Sequence, residues 1–281
     1  MDIILNLSDE WLLNNVYQNL AIRFHFGYLP PENLLRQYIS LSIITAIFGF
    51  LFYFVTATLS YYFLFDKRLK LHPKYLPNQI ELEIQYSIEA IIPMSLLTAP
   101  FFQLQINGYS LLYIRYCDYS LSYLFASIFM FLFFTDFFIY WIHRGLHHPK
   151  VYKSLHKLHH QILVPTPYAS HAFHFLDGYL QSIPYHLFVF IFPFHKYLYI
   201  GFFIIVNLWT VLIHDGAYFN DGEIINSTSN HTMHHLYFNV NYGQYFTIWD
   251  KLFNSYKKCP LELMDHDLRH DIKFNEKEIH S

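Results

Sequence analysis

The chain reads as an all-α integral membrane protein of about four transmembrane helices, with a histidine-rich helical cap on the cytosolic side. Three observations carry this. Hydrophobic residues are 54% of the 281 and charged ones only 14%, a balance unlike that of ordinary soluble domains. The run from Gln37 to Phe65 holds no charged residue, and about 20 apolar residues suffice to cross a bilayer. Fourteen of the 19 histidines fall between His143 and His235, beside apolar segments.

The remaining bulk properties mostly exclude. A net charge of −3 gives no case for nucleic-acid binding. Cys117 and Cys259 share no motif, so neither a disulfide framework nor a thiolate metal site is expected. The start, MDIILNLSDEW, is acidic and lacks a small-residue cleavage site, unlike a cleavable signal peptide. Aromatics reach 21%, with 30 Phe and 25 Tyr. Membrane segments accept both readily, so this needs no lipid pocket to explain it.

Taken in order, residues 1–36 form an N-terminal interfacial segment with a short helix near Asp9–Leu20. Residues 37–118 carry the N-terminal spans. The first is Gln37–Phe65. Asp66, Lys67, Arg68, Lys70 and Lys74 follow it, and the positive excess places that end in the cytosol. Glu81–Glu89 is an amphipathic approach to a second span, Ala90–Leu104, interrupted by Pro93 and Pro100. Asn107-Gly108 turns the chain. Residues 119–254 make the catalytic unit. Its first span, Tyr119–Ile142, returns to the cytosol, where Arg144, Lys150, Lys153 and Lys157 gather. Phe175–Phe194 and Tyr197–Ile213 read as a helical hairpin that enters and leaves on one side. Residues 255–281 form a charged tail.

The histidines fall into boxes. His143 and His147 stand one helical turn apart, with His148 adjacent. His156, His159 and His160 form H-x2-H-H, and His231, His234 and His235 repeat it. Positions i, i+3 and i+4 share a helix face, so each box presents several ring nitrogens to one region. Neutral imidazole suits iron, zinc and copper. The nitrogens are too many for one metal and suit two. His171 and His174 share a face if SHAFH is helical, and His214 leaves the hairpin beside the site. Asp136, seven residues before His143, is a carboxylate inside a span, which is expensive and usually functional. It either accepts a ligand ring's N–H, fixing its tautomer, or pairs with an Arg or hydroxyl. His25, His72, His266, His270 and His280 need no metal, and His186 and His195 stay unassigned.

Together with ATLSYYFLFD at 57–66, FFTDFFIYWIHRGLHH at 133–148, PTPYASHAFHFLDGYLQSIPYH at 165–186, IHDG at 213–216 and NYGQYFTIWD at 241–250, the boxes resemble the fatty acid hydroxylase/sterol desaturase superfamily. Within it the chain looks like the sterol C5-desaturases. The resemblance implies a multi-pass endoplasmic-reticulum enzyme with its site facing the cytosol and two non-haem irons; zinc is an ion that a purified form can carry. It further implies O2 as co-substrate and electrons from cytochrome b5 and cytochrome b5 reductase. The substrate would be a Δ7-sterol gaining a C5–C6 double bond. The boxes map onto His143, His147, His148, His156, His159, His160, His231, His234 and His235. One departure is Phe175, where the family usually has proline, which bears on the turn after His174. Two rivals are a sterol or lipid hydroxylase of the same superfamily and a histidine-lined metal transporter. The second fits less well, because transporters place polar groups at the midplane of several spans.

Overall fold

The structure, a computed structural model, describes residues 1–25, 27–217 and 222–260; His266, His270, His280 and most of the expected tail lie outside them. The protein is built almost wholly of helices. Among the described residues three are long and apolar enough to cross a bilayer: α3 (Leu34–Phe63), α4 (Gln79–Ile106) and α5 (Leu121–Leu146).

The N-terminal segment is helical over most of its length. α1 (Asp2–Ser8) passes through a π-turn at Asp9–Leu13 into α2 (Asn14–Phe24). Ile3, Leu7, Trp11, Leu12 and Ile22 are exposed, which suits a helix lying in a membrane interface. Its inner side is locked to the bundle. Asp9 pairs with the buried Arg36 at the base of α3, and Asp2 pairs with Lys196.

α3 starts where Asn33 accepts from the backbone N–H groups of Leu35 and Arg36, satisfying donors that a first helical turn leaves free. α4 differs from expectation. The approach at Glu81–Glu89 and the proline-broken span form one helix with Pro93 and Pro100 inside. Prolines are tolerated in membrane helices where packed neighbours and hydroxyl side chains re-satisfy the freed backbone. Here the helix lies packed between α3 and α8.

A short strand, β1 (Leu112–Tyr113), leads into α5, which Ser120 caps. Beyond α5 come two short helices, α6 (Pro149–Leu155) and α7 (Lys157–His160), and a 3-10 turn at Pro167–His171. The expected hairpin follows as α8 (Phe175–Ile191), β2 (Phe194–His195) and α9 (Lys196–Leu212). Its tip reaches the far end of the bundle, because β2 pairs in parallel with β1 in the α4–α5 connection. Phe131, Phe188, Phe194 and Phe202 pack there into one aromatic core. α10 (Thr228–Tyr237) and α11 (Ile248–Leu252) complete the layer over the opposite end.

Candidate metal centre

α5 delivers His143 and His147, α7 and the residue before it deliver His156, His159 and His160, and α10 delivers His231, His234 and His235. His214 arrives just after α9. These nine rings form two groups. His143, His147, His156, His160 and His234 make one; His159, His214, His231 and His235 make the other. Within each group, one nitrogen per ring lies within 4.8 Å of all the rest. The groups abut, with the His160 and His235 rings 4.9 Å apart.

Helical spacing explains the sorting. The i,i+4 pairs His143/His147, His156/His160 and His231/His235 each stay within one group. The intervening residues, His159 and His234, point across to the other. Each H-x2-H-H box therefore serves both groups.

The ring tautomers follow from what Nδ1 touches. His143 Nδ1 donates to the Tyr242 carbonyl at 3.1 Å, His234 to Val240 at 2.7 Å, His159 to Ala172 at 3.3 Å and His214 to Thr210 at 2.7 Å. His156 Nδ1 donates to Asp177 Oδ2 at 2.6 Å. A proton spent at Nδ1 leaves Nε2 as a lone pair. The inward nitrogens of these and the remaining rings converge. Nε2 of His143 and His156 are 3.2 Å apart, His160 and His156 3.1 Å, His160 and His147 3.2 Å, His231 and His214 2.9 Å, and His231 and His235 3.1 Å. His234 Nε2 is buried with no partner among the described residues. Between His143 and His156 both Nδ1 atoms donate outward, so their Nε2 contact sets lone pair against lone pair; the other contacts crowd ring nitrogens in the same way. A cation in each group relieves them together, and an outer N–H bond to carbonyl or carboxylate is the usual support of a metal-bound imidazole.

Electrostatics point the same way. Burial drives the charged form out, and the neighbouring imidazoles add to it: His159 is pushed down to about 4 and His214 to about 3. His160, His231, His234 and His235 fall well below the ordinary range for the same reasons. Those six rings are thus held neutral, the state that binds metal. The residues present fit a two-metal centre of nitrogen donors.

Three candidates stand outside both groups. His148 caps α6, accepting from Lys150 N–H at 3.3 Å. His174 caps α8, accepting from Leu176 N–H at 3.3 Å. SHAFH is not one helix but a 3-10 turn followed by a cap, so His171 and His174 share no face. Phe175 takes the first position of α8, where proline is favoured because its missing N–H costs nothing. The His174 cap makes the turn without it. His171 is bonded to Asn207 Oδ1 at 3.3 Å and Ser170 Oγ at 3.1 Å, and burial pushes it down to about 4.

Asp136 has its Oδ1 on backbone, accepting from Gln244 N–H at 3.1 Å and Tyr245 N–H at 2.6 Å. Asp250 holds the same loop from its other side, accepting from Tyr242 and Gly243 N–H at 2.9 Å each. Gly243 is needed there, since a Cβ would lie 2.5 Å from the Phe246 carbonyl. The two carboxylates fix the loop whose Val240 and Tyr242 carbonyls orient His234 and His143. Asp136 thus acts on the histidines through NYGQ. Sequence reasoning passed over Asp177 and Asp250. The signal for both was a carboxylate in a largely apolar stretch: Asp177 one turn into the hairpin, Asp250 at the end of NYGQYFTIWD.

Comparison with known proteins agrees with this architecture. The fatty acid hydroxylase family model matches residues 128–255, which contain all nine rings. A Δ7-sterol 5(6)-desaturase of Schizosaccharomyces pombe is 44% identical over 99% of this chain and 93% of its own length. One from Aspergillus fumigatus is 52% identical over 88% of this chain and 71% of its own. Human lathosterol oxidase is 48% identical over 92% and 85%. No solved structure matches. On the strength of these long, high-identity matches, the chain belongs to the Δ7-sterol 5(6)-desaturase family, within the wider fatty acid hydroxylase group.

Proposed function

We propose that this chain is an O2-dependent Δ7-sterol 5(6)-desaturase with two non-haem irons, one in each histidine group. The observation that carries the reading is the convergence of ring nitrogens from nine histidines into two groups, five of whose rings wall a cavity. That cavity, about 210 Å³, is bounded by His143, His156, His159, His214 and His231 at one end and by apolar side chains of α4, α8 and α9 below. Overall, a Δ7-sterol, O2, two electrons and two protons yield a Δ5,7-sterol and two waters. Bound iron supplies the one-electron chemistry with O2 that an unactivated C–H bond demands.

The chain's own residues do the rest. Tyr242, Val240, Ala172 and Thr210 carbonyls and the Asp177 carboxylate hold five of the nine rings with Nε2 inward. Ile91, Met94, Ile139 and Val206 line the cavity, favouring an apolar substrate over water. Removing a second hydrogen, rather than adding a hydroxyl, depends on which sterol carbons lie over the centre, so placement decides the product. Residues 119–254 form the catalytic unit and the spans within 37–118 wall the cavity. Electrons come from cytochrome b5 and its reductase. The histidine end faces the cytosol of the endoplasmic reticulum, supported by the basic residues that follow α3 and α5 at that end.

The test is expression in a host that lacks its own C5-desaturase, with sterol analysis beside iron content. Restored Δ5,7-sterol with about two irons per chain is the expected result. A new hydroxysterol with no Δ5,7-sterol would overturn the desaturase reading.

A further inference from the structure

A second cavity, about 340 Å³, lies deeper in the bundle. Ile44, Phe48 and Phe52 of α3 and Tyr199, Ile200 and Ile204 of α9 are among its walls. It shares Thr45, Gly49, Phe203 and Asn207 with the histidine-rimmed cavity, so the two adjoin at these four residues, called the neck below. α9 measures the depth. Asn207 and Phe203 precede His214 by seven and eleven residues, roughly 10 and 16 Å at 1.5 Å per residue. The histidines thus close the top of the upper cavity, and the neck opens from its lower part. At the bottom of the second cavity the polar groups satisfy one another: Lys196 pairs with Asp2, and Gln105 donates to the Tyr199 hydroxyl at 3.1 Å.

The substrate's shape meets this asymmetry. In a 3-hydroxysterol the hydroxyl-bearing carbon is two bonds from C5, at one end of the ring system. The C17 side chain leaves the other end. With C5 and C6 beneath the histidines, little of the molecule lies beyond them on the hydroxyl side, and rings C and D and the side chain must extend the other way. From the histidines these two cavities extend downward along α9. The upper one alone is smaller than the roughly 300–1,000 Å³ that encloses a drug-sized ligand, whereas the two together fall inside that range.

Resting on the desaturase reading, we propose that the sterol lies with its hydroxyl end against the histidines and its C17 side chain threaded between Gly49 and Phe203 into the second cavity. These two residues then set which side chains are accepted. Gly49 is suited to the role, because an added Cβ would meet only Ile91 Cγ2, at an ordinary 3.6 Å. A larger side chain there fills the neck and not the metal centre.

The experiment compares kcat/KM for three Δ7 substrates: a sterol with its full side chain, a steroid lacking it, and a sterol carrying an acyl group on the 3-oxygen. With the unaltered enzyme, the acylated sterol is refused. In Gly49→Leu, iron content is kept, kcat/KM for the full-length sterol falls about tenfold or more, and that for the truncated steroid stays within about twofold. If Gly49→Leu does not fold, the free and acylated sterols on the unaltered enzyme still decide. Turnover of the acylated sterol equal to that of the free sterol would overturn the orientation alone. Failure to desaturate any Δ7-sterol would overturn the reaction assignment and this inference with it.

Discussion

Both ends of the helical bundle bury polar groups, and they do so in opposite ways. At the far end the buried cations Arg36 and Lys196 each have an anion. Arg36 is 1% exposed yet meets Asp9, the Asn14 side chain at 2.7 Å, the Leu29 carbonyl at 2.8 Å and the face of Tyr17. At the histidine end ring nitrogens face ring nitrogens in five close contacts, with lone pair against lone pair between His143 and His156. Burying a matched pair needs only good geometry, whereas opposed lone pairs need a missing cation. Buried polarity alone therefore does not mark a functional site; an unbalanced inventory of donors and acceptors does.

The sharpest way to break the comparison is to remove one ring. His234→Ala or His231→Ala is expected to abolish desaturation and lower bound iron, read by sterol profile and metal analysis; full turnover with unchanged iron would refute the two-group centre. The matching cut at the far end is Arg36→Ala. Leaving Asp9 buried and unpaired should cost about 3–5 kcal/mol of stability, seen in thermal unfolding, while folded protein keeps its iron. If iron were lost there too, the ends would not be separable.

Asp177→Ala probes the support of one ring. Losing the partner of His156 Nδ1 should lower metal affinity or activity about 10- to 100-fold, with little change in the other group's occupancy. Acid should act at the histidine end first. His159 and His214 are neutral when folded and charge in the unfolded chain near 6.5, so stability is full above that pH. It is lost as pH falls toward about 4, because the unfolded state then binds more protons. Metal release measured against pH should follow the same direction. The smallest effect is expected for His148→Ala. It removes a helix cap, worth about 1 kcal/mol or less, and should leave iron content unchanged.

Much of this was legible in the residues. Charge-free runs announced α3 and α5, and i,i+4 spacing announced that His143 and His147, His156 and His160, and His231 and His235 act in pairs. The division of labour inside each box was not legible. On a helix face, His159 is as good a neighbour of His156 as His160 is; only the opposing α10 and the loop after α9 draw it to the other group. The job of Asp136 was equally hidden. Its acceptors serve backbone N–H groups more than a hundred residues away, a pairing that leaves no local pattern. The prolines of α4 suggested a broken span because propensity is local, while the neighbours that mend the helix are not.

Sequence by itself determined that this chain enters a membrane and carries histidines enough for two metals, since composition and periodicity act on each segment separately. Only the tertiary structure decided which ring joins which group, which carbonyl or carboxylate holds it, and that two cavities share Thr45, Gly49, Phe203 and Asn207 as walls. Those depend on distances between segments far apart in the chain, and no single segment encodes them.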